Sequence, residues 1–392
     1  MVIYLDNAST TRLHDKVIEA MIPYMSIKYG NPSSLHSLGR EAKRAVDSAR
    51  DNIKDAINLN ANAKVVFTAN ATEANNLALK GIAYSLKSKG KSIIVSSIEH
   101  ESILEPCKAL EREGFKVIYI PVDSNATVSI DAIEHALKEN KDTILVSVML
   151  ANNEVGSIQP LKDIAEIAHR YNALVHTDAA QALGKVVIDA KSLSVDLITL
   201  SAHKLYGPKG IGALCINSNS ISVEPIMHGG GHEYGLRSGT QNVPAIVGFS
   251  KAAEMSKEFI DVYSSRVKAL RDKLERAILE SIKHTRLNST AKDRLPNTTN
   301  ISFLGVNGED LIIKLDEHGI CASTGSACST LKQKESHVLR AMNLSKDVRN
   351  GSLRLTLGIY NEEHEIDYTI SVLDKVVKEL RTVSPILSFK DN

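Results

Sequence analysis

Four stretches of this sequence close apolar, β-rich runs on groups able to do chemistry. "ITLSAHKLYGPKGIG" ends one run with Ser201, His203 and Lys204, then enters a turn rich in Gly and Pro. A lysine is ordinarily a solvated surface charge. One that directly follows a buried strand, beside a serine and a histidine, can instead form a Schiff base with an aldehyde cofactor. "LVHTDAAQALGK" ends another run with Asp178, and Gln181 follows three residues later. Asp178 reads either as a helix N-cap or as the carboxylate that keeps a pyridinium nitrogen protonated and its ring an electron sink. "FTANATEANNLALKG" joins strand, tight turn and helix start. There Ala71 and Thr72 would offer backbone N–H groups and a hydroxyl to a phosphate, unless Thr72 is a plain cap; Glu73 suits either reading. "SSIEHESI" brings His100 to a fourth strand end, as a satisfied structural histidine or as a ring stacked on a flat cofactor. Each signal alone is weak. Phosphate turn, histidine, aspartate and lysine, each at a strand end and in this order, together point to pyridoxal phosphate.

A second chemical group stands far downstream. "ASTGSACST" (322–330) surrounds Cys328 with small residues, where a structural cysteine would want bulky apolar neighbours. Gly325 and its Ala, Ser and Thr neighbours offer little to anchor, and the loop runs on through the polar "STLKQKESHVL". The bland reading is an incidental cysteine in a disordered loop. The chemical reading is a thiol that must both attack and deliver, which a rigid loop could hardly do.

The elements that must position these groups are legible as a pattern. Runs at 64–68, 92–97, 116–122, 143–149, 173–179, 196–201 and 212–216 are mostly apolar throughout, as in strands buried on both faces. Helical spacing between them predicts helices over 73–86, 103–113, 131–139 and 161–171. This alternation implies an open, mostly parallel α/β sheet of about seven strands wrapped by helices, whose ligands collect at the carboxyl ends of strands. Over 251–283 one long helix is expected, its apolar stripe running Phe259, Tyr263, Val267, Leu270, Leu274, Ile278, Ile282. A strand at "NTTNISFLGV" then opens a mixed α+β pattern. The expected division is a large domain over 15–256 and a small α+β domain formed by 1–14 and 257–392.

Bulk composition narrows the class. The 392 residues carry a formal net charge of +1, which argues against a nucleic-acid coat or a polybasic membrane protein. The four cysteines, Cys107, Cys215, Cys321 and Cys328, form no C-x-x-C pair. Neither a zinc ribbon nor a disulfide framework is indicated, and free thiols fit a reducing compartment. No signal peptide is read in "MVIYLDNASTT", and no run of eighteen apolar residues predicts a membrane span; a cytoplasmic location is expected.

The sequence resembles the pyridoxal-phosphate-dependent cysteine desulfurases of the class-V aminotransferase family that serve iron–sulfur cluster assembly. The resemblance covers nearly the whole chain. It rests on "YLDNASTT", "GNPSSLHSLG", "NATEANNLALKG", "EHESIL", "NNEVGSIQP", "HTDAAQALGK", "SAHKLYGPKGIGAL", "HGGGHEYGLRSGT", "STGSACS" and "LRLTLG". It implies fold-type I, a homodimer with sites at the subunit interface, and conversion of L-cysteine to L-alanine with the sulfur left on Cys328 as a persulfide. By position, Lys204 would hold the cofactor, Asp178 pair with its ring nitrogen, Gln181 contact its ring oxygen and His100 stack on the ring. Ala71, Thr72, Ser201 and His203 would bind the phosphate, and Thr240 would reach the phosphate of the partner's site. Asn153 and Arg354 would hold the substrate carboxylate, Arg354 as a bidentate fork. Cys328 would pass sulfur to an iron–sulfur scaffold or another acceptor protein, and could transiently ligate a cluster; no resident metal is implied.

Two positions depart from the family pattern. Asn70 replaces a small residue before "ATE", where its tolerance of positive φ would preserve the turn. Ser9 replaces a common alanine or threonine with little expected effect. An aminotransferase would not need Cys328, whereas a selenocysteine lyase would need a rate comparison to separate. A metal-binding protein would use His228 and His232, but the three glycines between them disfavour the helix that would put both imidazoles on one face. A non-catalytic scaffold would share the fold without needing Lys204 and Cys328 together.

Overall fold

The computed structural model describes residues 2–290, 292–324 and 335–383; Cys328 lies outside them. In chain order the strands are β1 (Ile3–Tyr4), β2 (Lys64–Thr68), β3 (Ser92–Ser96), β4 (Lys116–Ile120), β5 (Thr143–Ser147) and β6 (Leu174–Asp178), then β7 (Leu197–Ser201), β8 (Gly212–Ile216), β9 (Thr285–Leu287), β10 (Thr298–Phe303), β11 (Ile320–Cys321) and β12 (Ser352–Thr356). Seven of them form one sheet in the order β2-β8-β7-β6-β5-β3-β4. The pairings from β7 through to β4 are parallel, and β8 runs antiparallel to both of its neighbours. The seven runs expected from the sequence are these seven strands, each within two residues at either end.

Apolar runs become strands here because both faces are covered. Val66, Ile93, Val95 and Leu197 face the core under the helices Ala71–Leu86 and Glu101–Arg112, while Val65 and Ile94 face the larger core on the other side. The runs then stop being apolar at one edge. β2, β3, β5, β6 and β7 end in Thr68, Ser96, Ser147, Asp178 and Ser201, all buried. The carboxyl edge of a largely parallel sheet is where ligands collect in such folds, and here it gathers buried polar groups.

The long helix expected over 251–283 is not one helix. Residues 251–254 finish the helix Val243–Glu254; a second begins at Ser256 and is interrupted by a π turn over Tyr263–Val267 before Lys268–Ser281. The stripe itself is buried from Phe259 to Ile282. Its steps average about 3.8 residues, longer than the 3.6 of an α-helix, and the wider π turn absorbs the drift that would otherwise carry the stripe off the core.

The remaining strands stitch the two ends of the chain together. β12, β10 and β9 form an antiparallel sheet, with Asn300 opposite Arg354. β1 pairs in parallel with β11, setting Tyr4 beside Cys321, and Asp6 bridges to Thr356. Residues 6–9 therefore lie between β12 and the lysine turn that follows β7.

Candidate active site

The turn after β7 is a short 3-10 helix, Ala202–Lys204. It delivers Lys204 to the N-terminal segment, where Nζ donates to the carbonyls of Ala8 at 2.5 Å and Ser9 at 2.6 Å. Tyr206, two residues on, sits at φ +58°. Its hydroxyl hydrogen-bonds that of Tyr263 at 2.5 Å and accepts from the Ile359 amide at 2.8 Å, which pins the lysine turn to the π turn and to the segment after β12. The buried hydroxyl of Ser201 has no partner among the described residues. Burial, then Lys204 and Lys209, push His203 down to about 4, so its ring is neutral, with Nδ1 3.1 Å from Thr10 Oγ1.

Asp178 and His100 belong to one hydrogen-bonded chain. Asn75, one turn into the helix Ala71–Leu86, donates from Nδ2 to Asp178 Oδ2 and to Ser102 Oγ, both at 2.8 Å. Ser102 Oγ lies 2.8 Å from His100 Nδ1, and the Ser102 amide donates to the same nitrogen at 3.1 Å. His100 thus caps the helix Glu101–Arg112. Nδ1 accepts, so the hydrogen of the neutral ring is on Nε2, facing away from the cap. Burial lowers the pKa of His100, and the charges of Asp178 and Lys204 both bear on it. The structural and the functional readings of His100 are therefore compatible.

At the turn that enters the helix Ala71–Leu86 the structure corrects one expectation. Asn70 is not at positive φ: its backbone is extended, at φ −173°, and its side chain caps the helix by accepting from the Glu73 amide at 2.8 Å. Capping, the plainer of the two readings of Thr72, falls to Asn70 and leaves Thr72 exposed at the helix start. Glu73 accepts from the Ala69 amide at 2.6 Å and pairs with Arg237 Nε at 2.8 Å. Arg237 belongs to the same turn as Thr240, which is exposed. That turn is held by a buried pair: Arg50 donates to both oxygens of Glu233, at 2.7 and 2.9 Å. Glu233 and Tyr234 occupy left-handed backbone at φ +51° and +61°, conformations that persist only where surrounding bonds impose them.

Arg354, 3% exposed, donates to the Asn153 carbonyl at 2.9 Å and to Asp6 Oδ1 and Ser9 Oγ, each at 2.8 Å, while its Nε has no partner among the described residues. Ser9, expected to matter little, is thus one of the groups that hold the guanidinium. The described residues flanking the Cys328 segment are tied to this same place. Ser323 pairs with Arg354 through both backbone groups. On the other side Ser336 donates to the buried Glu154 at 2.5 Å, and His337 Nε2 lies 2.8 Å from the Glu99 carbonyl.

The sequence reading passed over Asn75, Asp6 and Glu99 beside these groups, and Lys185 behind them. Asn75 could have been noticed as a polar residue on the buried face of an amphipathic helix, and Glu99 as a charge at a strand end beside His100. Glu99 is fully buried: Oε1 accepts from Ser96 at 2.5 Å and from the Met149 amide at 2.8 Å, and Oε2 has no partner among the described residues. Burial pushes its carboxyl up to about 8, aided by the charge of Asp178 and opposed by the two hydrogen bonds. A folded-state pKa above the ordinary 4.5 stabilises the fold below that value and loses this contribution as pH rises toward 8. Glu99→Gln removes the titration. Its melting temperature relative to the parent protein is expected to climb steadily between pH 5 and pH 8, and an offset that stays constant across that window would refute a buried neutral Glu99.

Among the described residues, no group of three or more His, Cys, Asp or Glu could hold a metal ion, and no helix is long and apolar enough to cross a membrane.

A family profile described as aminotransferase class-V matches residues 3–369. A cysteine desulfurase IscS of Dictyoglomus turgidum is 44% identical over 383 residues, covering 98% of this chain and 96% of the relative. A solved NifS-like protein superposes with a TM-score of 0.90 at 38% identity, covering 97% of this chain and all of the other. A structure described as SspA in complex with cysteine superposes at 0.80 with 34% identity, covering 92% of this chain and 100% of that one.

Proposed function

This chain belongs to the class-V aminotransferase family, and on that premise we propose that it is a pyridoxal-phosphate-dependent cysteine desulfurase. It converts L-cysteine to L-alanine and leaves the sulfur on Cys328 for an iron–sulfur scaffold or another acceptor protein. The observation that carries this reading is the convergence of Lys204, Asp178 and His100 at one sheet edge, beside a helix start and the guanidinium of Arg354. The residues fit the cofactor. Ser201 has a buried, unpartnered hydroxyl and Ala71 opens a helix, as a phosphate requires; Asp178 is a buried carboxylate at a strand end, as a pyridinium nitrogen requires.

Bound there, pyridoxal phosphate supplies an electron sink for the pair left when the Cα proton of the substrate is removed. The protein supplies the rest. Arg354 and Asn153 hold the substrate carboxylate. Lys204 takes the Cα proton and returns one when alanine is released. Asp178 holds positive charge at the ring nitrogen, Gln181 contacts the ring oxygen, and the neutral His100 covers the ring face. Ala71, Thr72, Ser201 and His203 hold the phosphate, with Thr240 of the partner subunit. The Cys328 thiolate attacks the substrate sulfur; an S–S bond forms as the substrate C–S bond breaks, the C–S electron pair stays with Cβ, which takes up a proton equivalent to the one the thiol gave up, and the carbon skeleton leaves as alanine. The other thiols suit this poorly: burial pushes Cys107 and Cys215 up to about 12 and raises Cys321.

A homodimer is supported by exposed apolar side chains gathered near the start of the chain. Ile22, Met25, Ile27, Tyr29 and Leu35 are 53–90% exposed, an arrangement that a second copy would cover. The free thiols favour a reducing compartment, and we place the protein in the cytoplasm.

The deciding experiment adds L-cysteine to the holoenzyme without reductant and measures alanine and protein persulfide in one turnover. One alanine per site, with the persulfide on the peptide containing Cys328, is expected. Pyruvate or keto-acid products with no persulfide would instead establish another reaction of the family.

A further inference from the structure

Lys185 is a lysine with nowhere to put its charge. It is 2% exposed, and its Nζ donates to two oxygens of one residue: the Gln181 carbonyl at 2.9 Å and Gln181 Oε1 at 3.3 Å. An amine has hydrogens enough for both bonds whether or not it is protonated. Because Lys185 occupies Oε1, the amide of Gln181 must turn its Nε2 the other way, and Nε2 donates to the Ala8 carbonyl at 2.9 Å. That carbonyl is also the one on which Lys204 Nζ rests at 2.5 Å. The turn carrying both residues is pressed against the lysine turn. A Cβ on Gly184, at φ +73°, would lie 2.0 Å from the Leu205 side chain. A lone buried lysine is costly, and this one satisfies no other part of the fold that the described residues reveal.

We propose that Lys185 is a positioning residue: it locks the Gln181 amide with its NH₂ toward the carbonyl shared with Lys204, so that a hydrogen-bond donor is presented to the ring oxygen of the cofactor. This rests on the reading of the site as a pyridoxal-phosphate site, and it assigns a task to a residue outside that site. The charges around Lys185 agree with a place behind the reacting groups. Lys204 bears on it directly, and burial together with Lys204 lowers Lys185 to about 7. His203 feels Lys204, Lys209 and Lys185. On the far side, Lys185 borders a cavity carrying Lys268, Arg271, Lys292, Asp293 and Arg294.

The test is a double-substitution cycle on the holoenzyme with Lys185→Met, which keeps length and loses the donor, Gln181→Leu, and both together. Three quantities are read: the pH midpoint of the visible cofactor band in the resting protein, kcat and KM for L-cysteine, and the melting temperature. Removing a cation and a fixed donor lets the nitrogen at Lys204 keep its proton to higher pH. Each single variant is therefore expected to raise the midpoint by about one pH unit, the order expected from one hydrogen bond to a charged group. kcat should fall about tenfold while KM changes little. In the double variant the two effects should not sum, because Lys185 acts through Gln181. Summing effects, or a Lys185→Met midpoint and kcat equal to the parent's, overturn the proposal even if melting changes. Should Lys185→Met fail to fold, Lys185→Gln is read instead, and an unshifted midpoint there overturns it equally. A parent protein with no visible band would overturn the cofactor reading, and this proposal with it.

Discussion

Lys204→Ala is expected to abolish alanine formation from L-cysteine, lowering turnover by about 10²–10⁴-fold, the range associated with losing a positioned proton carrier. Borohydride treatment of the parent protein should fix the cofactor on the peptide containing Lys204, and the variant should give no such peptide. The expectation follows from placement. Lys204 is held by the carbonyls of Ala8 and Ser9 between the Asp178–Asn75–Ser102–His100 chain and the groups around Arg354. Lys185, which is buried, is the competing amine nearby, and its Nζ is spent on Gln181. A borohydride-fixed label on Lys185, or on any other lysine, would reverse the assignment. The loss should also exceed that from Asp178→Asn, which removes a charge at the ring and leaves proton transfer in place.

Cys328→Ser should separate two tasks. Cofactor binding and removal of the Cα proton use no protein thiol, so the visible band should persist and still change when L-cysteine is added. Sulfur transfer should stop: alanine formation is expected to drop by about 10³-fold or more, with no persulfide, because a hydroxyl is a poor acceptor for sulfur. Packing cannot explain such a loss, since serine is nearly isosteric. Cys321→Ser is the matched control. Cys321 ends β11 beside Tyr4, and burial raises its thiol, so turnover should be largely retained. Persulfide labelling of the three proteins after one exposure to L-cysteine decides the matter. A Cys328 variant that still labels while the Cys321 variant does not would move the chemistry to the other thiol.

How much of this was legible in the sequence depended on the range of the interaction. The seven strands were, because a strand buried on both faces writes a continuous apolar run whatever it packs against. The strand-end positions of Asp178 and Lys204 were too, because an apolar run leads directly to each. Asn70 was misread: its side chain, which bonds three residues ahead, decided the turn, and its backbone stayed extended. The π turn was missed because the stripe alone was counted, when its stretched spacing already required more than an α-helical turn. Lys185 was hidden for a different reason. Nothing near it in sequence says that its side chain is buried; that depends on how its turn packs in the fold. Asp6 and Ser9 meet Arg354 across some 345 residues, beyond what any local pattern can encode.

That last separation bears on how the protein is made. Synthesis runs at about 5–20 residues per second, so the segment holding Asp6, Ala8 and Ser9 emerges well over ten seconds before Arg354. Contacts so distant in the chain form late and slowly. A nascent or truncated chain that has completed the large sheet already possesses Lys204 and Asp178, yet its first residues have neither β11 nor β12 to pair with. The segment carrying the carbonyls that hold the amine then has no strand to pair with, and the guanidinium does not yet exist. Incomplete chains would thus be inert toward L-cysteine, and a cell would not release sulfur from half-made enzyme. Strand-breaking substitutions at Ile3 or Tyr4 should be equally disruptive, since the two are themselves a strand beside Cys321.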